Sequence, residues 1–231
     1  MRNGTETVAE TPGFVLIYKP AGIPVESRDV ARPDLYHSLL KQYKELHMIN
    51  RLDQPVEGLV LFAKNRKSAA ALSAALEGGL IRKEYLAVVS GVPRKRSGIL
   101  EDFLAKDART NTSRVVREGT KGAKYACLEY ETAAVREDPG KEAGESRSLL
   151  KILLKTGRHH QIRVQLANMG NPIAGDRKYG LPERAEETRF PALCAFRLTF
   201  PDPGSGKECV YEVTPKGVLF ETFYKNGTLF L

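Results

Sequence analysis

Asn50-Arg51-Leu52-Asp53-Gln54-Pro55-Val56-Glu57-Gly58-Leu59-Val60-Leu61-Phe62-Ala63-Lys64 is the stretch around which the rest of the chain can be read. It opens polar, turns at Gln54-Pro55 and enters the apolar run Gly58–Ala63, which reads as a buried strand. An aspartate in a turn at the mouth of such a strand has two readings. It stabilises the turn through its own backbone hydrogen bonds, or it is a carboxylate held at the edge of a core for chemistry. Arg51, two residues earlier, is either a structural ion-pair partner or a ligand contact.

Downstream of this strand, Asn65 caps a helix whose apolar face is Ala69, Leu72 and Leu76, and Gly78-Gly79 ends it. Glu84–Ser90 is the next strand, so residues 48–90 read strand, turn, strand, helix, strand. Upstream, residues 1–13 form a polar tail, Phe14–Tyr18 reads as a strand, and Lys19-Pro20-Ala21-Gly22 stops it. Leu35, Leu39 and Leu46 place a helix over Asp34–Leu46 with Asp34 as N-cap. Further on, Lys106–Lys124 is polar and basic and reads as a solvated loop or an RNA-backbone contact. Tyr125–Val135 alternates as a strand, and Arg136–Arg147 is a charged loop with the character of a mobile insertion. Leu149–Lys155 is a strand, and Ile162, Leu166 and Met169 form a helix face closed by Gly170. From Ala192 the chain reads as two strands around the turn Asp202–Gly206.

Length and composition bound what such a chain can be. Its 231 residues make one large domain or two small ones, and 42% hydrophobic content excludes a disordered chain. No apolar run approaches the ~18–20 residues of a membrane helix, and residues 1–13 carry no apolar signal segment. A cytoplasmic location without membrane association is therefore expected. With 36 basic and 28 acidic residues the net charge is +8, which favours a polyanionic partner. Cys127, Cys194 and Cys209 have no metal-site spacing and read as reduced thiols.

Several chemistries lack their motifs. There is no Gly-Lys-Ser/Thr phosphate loop, no GxGxxG, no HExxH and no GxSxG. His159-His160 is a tempting metal pair, but adjacent helical residues point about 100° apart and make poor joint ligands. The segment Gly157-Arg158-His159-His160-Gln161-Ile162-Arg163 places two arginines at a strand-to-helix junction. It reads as an anion-binding helix start or as the solvated first turn of an amphipathic helix.

Taken together, these segments resemble the signature of the RluA family of RNA pseudouridine synthases. The family's catalytic stretch, His-Arg-Leu-Asp-x-x-Thr-Ser-Gly followed by an apolar strand and Ala-Lys, is matched by Asn50-Arg51-Leu52-Asp53 and Gly58–Lys64. Its Gly-Arg-Thr-His-Gln-Ile-Arg is matched by Gly157–Arg163. Lys19–Val25, Lys83-Glu84-Tyr85, Asn171–Asp176 and Tyr179-Gly180 are also similar, in order, from about residue 14 to about residue 215. Three positions depart from the pattern. Asn50 stands where His is usual, and Val56-Glu57 replace Thr-Ser.

The resemblance implies an α+β pseudouridine synthase fold, a mixed, mainly antiparallel central sheet flanked by helices and loops with a central RNA-binding cleft. It implies a single catalytic domain over 14–231, with no room for the family's optional S4 module. The implied activity is isomerisation of specific uridines in ribosomal or transfer RNA, without cofactor or metal. Asp53 is the implied catalytic carboxylate, with Arg163 as its charge partner and Tyr85 holding the base. Arg51, Lys83, Arg158, His160 and Arg114 are the expected RNA contacts, a structured stem-loop the expected partner, and a monomer the expected state. A noncatalytic RNA-binding or RNA-folding protein on the same fold is the alternative, supported only by the three departures. A hydrolase releasing free uracil is a third.

Overall fold

Two apolar runs expected to be strands, Phe14–Lys19 and Glu57–Ala63, pair antiparallel and are buried along their whole length. The computed structural model describes residues 4–27, 29, 33–137, 146–181, 188–225 and 228–229. It divides the chain into two compact units, Met1–Lys83 with Cys194–Lys216, and Glu84–Leu193 with Gly217–Leu231.

The elements follow in chain order. They begin with β1 (Glu6–Glu10), β2 (Phe14–Lys19), α1 (Leu35–Leu40), β3 (His47–Met48), β4 (Glu57–Ala63), α2 (Arg66–Glu77) and β5 (Arg82–Ser90). Then come β6 (Ser97–Asp107), β7 (Thr112–Val116), β8 (Lys124–Glu137), β9 (Ser146–Leu154) and α3 (Gln161–Asn168). The chain ends with β10 (Leu193–Pro201), β11 (Glu208–Glu212), a 3-10 helix (Val218–Phe223), β12 (Tyr224–Lys225) and β13 (Thr228–Leu229).

In the first unit the order is β1-β2-β4-β10, with β3 on β4 and β11 on β10. All of these pairs are antiparallel except β10 with β4. Phe14, Leu16, Leu59, Leu61 and Ala63 form a core with Leu72 and Ala75 of α2 and Leu198 and Phe200 of β10. Phe62 points to the other face, where Tyr36 of α1 stacks on it at 6.4 Å. Covering on both faces explains why β2 and β4 are apolar runs and not alternating ones. Gly58 is required where β4 meets β10. Its φ is +125°, and a Cβ there would lie 2.4 Å from the Ala195 carbonyl oxygen.

In the second unit the order is β5-β9-β8-β6-β7. Pairing is antiparallel along β9-β8-β6-β7. Val164 of α3 packs on Leu104 of β6 and Ala126 of β8. Across the two units the strands make a mixed, mainly antiparallel α+β architecture, as the resemblance implied.

Four readings change. The polar tail contains β1, an edge strand that is only half covered, so it lacks an apolar alternation to announce it. The helix begun by Asp34 ends at Leu40, because Gln42 and Tyr43 both donate to the Leu39 carbonyl and turn the chain. The basic segment 106–124 is not a loop throughout. Lys106 pairs with Ser113 in the β6–β7 hairpin, whose outer strand leaves its polar residues in solvent. The unflagged β6 alternates exposed and covered positions for the same reason. Of the charged insertion, residues 138–145 lie outside the described residues, while Arg136 and Arg147 pair within β8 and β9.

Candidate active site

Asp53 sits half-buried in the turn that leads into β4, and the Asp53 carbonyl accepts from Val56 N–H at 3.0 Å. A second loop, Pro20–Pro24 after β2, is clasped against this turn. Gly22 N–H donates to the Gln54 carbonyl, and the Gln54 side-chain amide donates back to the Gly22 carbonyl, both at 2.9 Å. Lys19 closes the clasp. Its side chain is fully buried, and its ammonium donates to the carbonyls of Pro20 (3.0 Å), Ile23 (2.9 Å) and Gln54 (3.2 Å). Burial pushes the Lys19 pKa down to about 7, a fall opposed by the negative charges of Asp53 and Glu57.

The departure at position 50 has a structural role. The Asn50 amide donates to the Leu59 carbonyl at 3.2 Å and its oxygen accepts from Leu61 N–H at 2.7 Å. The side chain thus pairs with β4 as a short strand would and fixes where the turn begins. Arg51 is exposed beside it, and Leu52 is buried. The alternation puts the cation outward and the apolar side chain inward. Glu57 is also buried. Its carboxylate accepts from the Tyr18 hydroxyl and from Lys216 N–H.

The second unit holds Arg163 in α3, only 3% exposed. Its guanidinium grips Asp176 in a two-pronged ion pair, Nε to Oδ2 and Nη2 to Oδ1, both 2.7 Å. Asp176 also accepts from the backbone N–H of Lys178 and Tyr179. The Arg163 guanidinium lies 5.1 Å from the centre of the Tyr179 ring. The Tyr179 hydroxyl accepts from Ser113 N–H at 2.7 Å and meets His160 Nδ1 at 2.8 Å. Gln161 and Gln165 complete the polar packing of α3, reaching Cys127 O on β8 and Leu100 O on β6.

The sequence pattern of α3 suggested an ordinary amphipathic helix, but its covered face carries Gln161, Arg163 and Gln165, all buried. His159 and His160 do not diverge as helical neighbours would. They lie before the helix, His160 is left-handed at φ 54°, and the two rings stack at 3.8 Å. Their Nδ1 atoms are taken by Ser113 and Tyr179. Among the described residues no group of three or more His, Cys, Asp or Glu could hold a metal ion.

The expected site residues fall in both units. Asp53 and Arg51 share one turn of the first. Lys83 is half-buried at the start of β5, with its pKa lowered by burial, and Tyr85 is two residues on at 6% exposure. Arg158 is exposed and donates to the Tyr125 carbonyl, and Arg114 is exposed on β7. His160 is 8% exposed, and burial beside Arg163 drives its pKa down to about 2. It is therefore a neutral scaffold residue and presents no positive charge at neutral pH. Sequence reasoning assigned no role to Lys19, Asp176, Tyr179 or Ser113. A lysine closing an otherwise apolar strand was the one available signal, and it was absorbed into the turn that follows.

A buried cation clasping an aspartate turn, and a helix-borne arginine in an aspartate grip, are the two polar constructions that the motifs build. The RNA pseudouridylate synthase family matches residues 13–168, which include Asp53, Tyr85 and Arg163. The chain belongs to this family. The uncharacterized RNA pseudouridine synthase YhcT of Bacillus subtilis is 31% identical over 174 residues, covering 72% of this chain and 55% of that protein. This chain thus spans about half the length of that relative. The dual-specificity RNA pseudouridine synthase RluA of Vibrio vulnificus is 31% identical over 204 residues, with 87% and 79% covered. The tRNA pseudouridine synthase C of Haemophilus ducreyi is 33% identical over 177 residues, with 72% and 70% covered. In fold, the chain is similar to the human RNA pseudouridylate synthase domain containing 1 protein. The TM-score is 0.76 at 21% identity, covering 93% of this chain and 86% of that one.

Proposed function

We propose that this RluA-type pseudouridine synthase chain isomerises uridine in structured RNA with Asp53 as its essential carboxylate. The observation that carries this reading is the Asp53 turn itself. It occupies the family's catalytic position, and Lys19, Gln54 and Asn50 fix its backbone from three sides. A catalytic carboxylate needs this preorganisation, because a loosely held one loses its geometric advantage.

The N1–C1′ bond of uridine breaks, the uracil turns, and a C5–C1′ bond forms. C5 gives up its proton and N1 gains one, so the change is an isomerisation. Two routes use the same carboxylate: covalent attack, and stabilisation with deprotonation of a glycal-like intermediate. Tyr85 supplies an aromatic face for the base, and Arg163 supplies positive charge within the catalytic set. The uridine must first leave its stack, at a cost of a few kcal/mol that is least in loops and bulges. Arg51, exposed beside Asp53, suits the vacated position with its planar guanidinium. Arg114, Arg158 and Lys83 follow the RNA backbone. A stem-loop of ribosomal or transfer RNA, modified by a cytoplasmic monomer over a single catalytic domain, completes the reading.

The test is Asp53→Asn on bulk transfer and ribosomal RNA. Pseudouridine formation is expected to vanish while RNA affinity stays within about threefold of wild type. Product at the wild-type rate from this variant would remove Asp53 from the reaction. Binding without turnover by the wild type would favour the noncatalytic alternative, and free uracil the hydrolase.

A further inference from the structure

Glu57, four residues after Asp53, stands where the family pattern has serine, and the structure gives that departure a place. Its carboxylate is 5% exposed at the first position of β4. It accepts from the Tyr18 hydroxyl and from Lys216 N–H at 3.1 Å, and in the β4–β10 register it lies opposite Cys194. A buried carboxylate is costly without an opposite charge, and Lys19 is a fully buried cation in the same unit.

The charges around Lys19 come from each element packed on it. Asp53 faces it from the turn and Glu57 from β4, while Tyr18 of β2 and Cys194 of β10 are neutral, their pKa values raised by burial and by Glu57. The Lys216 ammonium is held apart from this set, over the Tyr18 ring and against Glu6. The hydrogen bonds that fix the Lys19 ammonium go to carbonyl dipoles of the two loops, so carboxylates act on it through their field.

We propose that Glu57 is a positioning residue for the reaction: its carboxylate is a fixed counter-charge that keeps the Lys19 ammonium seated on the carbonyls of Ile23 and Gln54 and thereby holds the Asp53 turn. This rests on the function proposed above. Asp53 also supplies negative charge to Lys19, but a carboxylate that bonds to substrate or takes up a proton loses that charge in mid-reaction. Glu57 takes no part in the chemistry, so its charge persists through the cycle and the clasp does not slacken when Asp53 is spent.

The experiment compares Glu57→Gln, Tyr18→Phe, Lys19→Met and the Glu57→Gln/Lys19→Met double variant. Glu57→Gln keeps the shape and removes the charge. Its kcat is expected to fall about tenfold with KM within about twofold. In the Lys19→Met background the same substitution is expected to add nothing, since the cation it serves is gone. Tyr18→Phe removes one hydrogen bond but leaves the charge, so its kcat should stay within about threefold of wild type. The Lys19 side chain, titrated through its 13Cε shift, has a midpoint near 7 in the wild type. That midpoint is expected to fall to about 6 in Glu57→Gln.

The proposal is overturned by an unchanged Lys19 midpoint, by additive losses in the double variant, or by a Tyr18→Phe loss as large as that of Glu57→Gln. If the wild type makes no pseudouridine, the functional reading fails, and the Lys19 titration still decides the clasp. If Glu57→Gln does not fold, Tyr18→Phe decides it in place of the charge variant. A Lys19 midpoint and a kcat both near wild type support the proposal, and a loss in either overturns it.

Discussion

The Asp53 turn and the Arg163 helix are both polar constructions, built of different materials. Around Asp53 the work of immobilisation is done by backbone groups. A lysine ammonium gathers three carbonyls, and an asparagine side chain pairs with a strand. Around Arg163 it is done between side chains, with an ion pair at its centre and Tyr179, His160 and Ser113 packed round it. The difference follows from what each region must hold. A turn has no regular hydrogen-bond ladder, so its loose carbonyls and N–H groups need partners. A helix satisfies its own backbone, so only its side-chain directions need fixing, and a planar guanidinium in a carboxylate fork fixes direction well.

The largest expected effect comes from breaking the side-chain construction. Asp176→Asn leaves a buried guanidinium without its anion, which costs about 3–5 kcal/mol. A urea-unfolding midpoint that hardly moved would show that the grip is incidental to α3. The matching break in the first unit is Asn50→Ala, which strands the Leu61 N–H and the Leu59 carbonyl at about 1–3 kcal/mol for each group left unsatisfied. It should destabilise less than Asp176→Asn because no charge is left behind. An equal or larger loss would mean that the turn depends on its pins more than the helix depends on its ion pair.

The smallest effect at neutral pH is that of His160→Asn, which keeps a residue that tolerates the left-handed backbone. The His160 pKa in the folded protein is lowered to about 2 from 6.5. The unfolded chain therefore binds this proton where the folded one does not, and stability falls as pH drops from 6.5 toward 2. Removing the imidazole should make that fall shallower by one proton. Unfolding free energies measured between pH 7 and pH 4 would read it, and parallel curves for variant and wild type would contradict a buried neutral His160.

Legibility in the sequence followed burial. Phe14–Tyr18 and Gly58–Ala63 announce themselves because both faces of each strand are covered, and α2 does so because Asn65 caps it through Ser68 N–H. β1 and β7 are edge strands that leave many side chains in water, so neither carries an apolar pattern to distinguish it from a loop. In the candidate site, the motifs located Asp53, Tyr85 and Arg163 along the chain by resemblance. They did not show that His160 is buried and neutral, that Glu57 faces inward, or that Arg163 is gripped by Asp176, thirteen residues away. Polar residues are compatible with many surroundings, and nothing in their spacing says which neighbour takes each hydrogen bond.

The sequence by itself determined the buried strands, the capped helix α2 and, through ordered motifs, membership of the pseudouridine synthase family. Hydrophobic burial and capping are properties of single residues repeated at the period of the backbone, and a linear pattern records them. Only the tertiary structure decided that Lys19 is an interior cation, that Asn50 serves as a strand partner and that Glu57 lies against Tyr18 and Lys216 N–H. What a charged or polar group does depends on the group across from it. That neighbour is chosen by chain segments far apart in sequence, Lys216 lying 159 residues from Glu57.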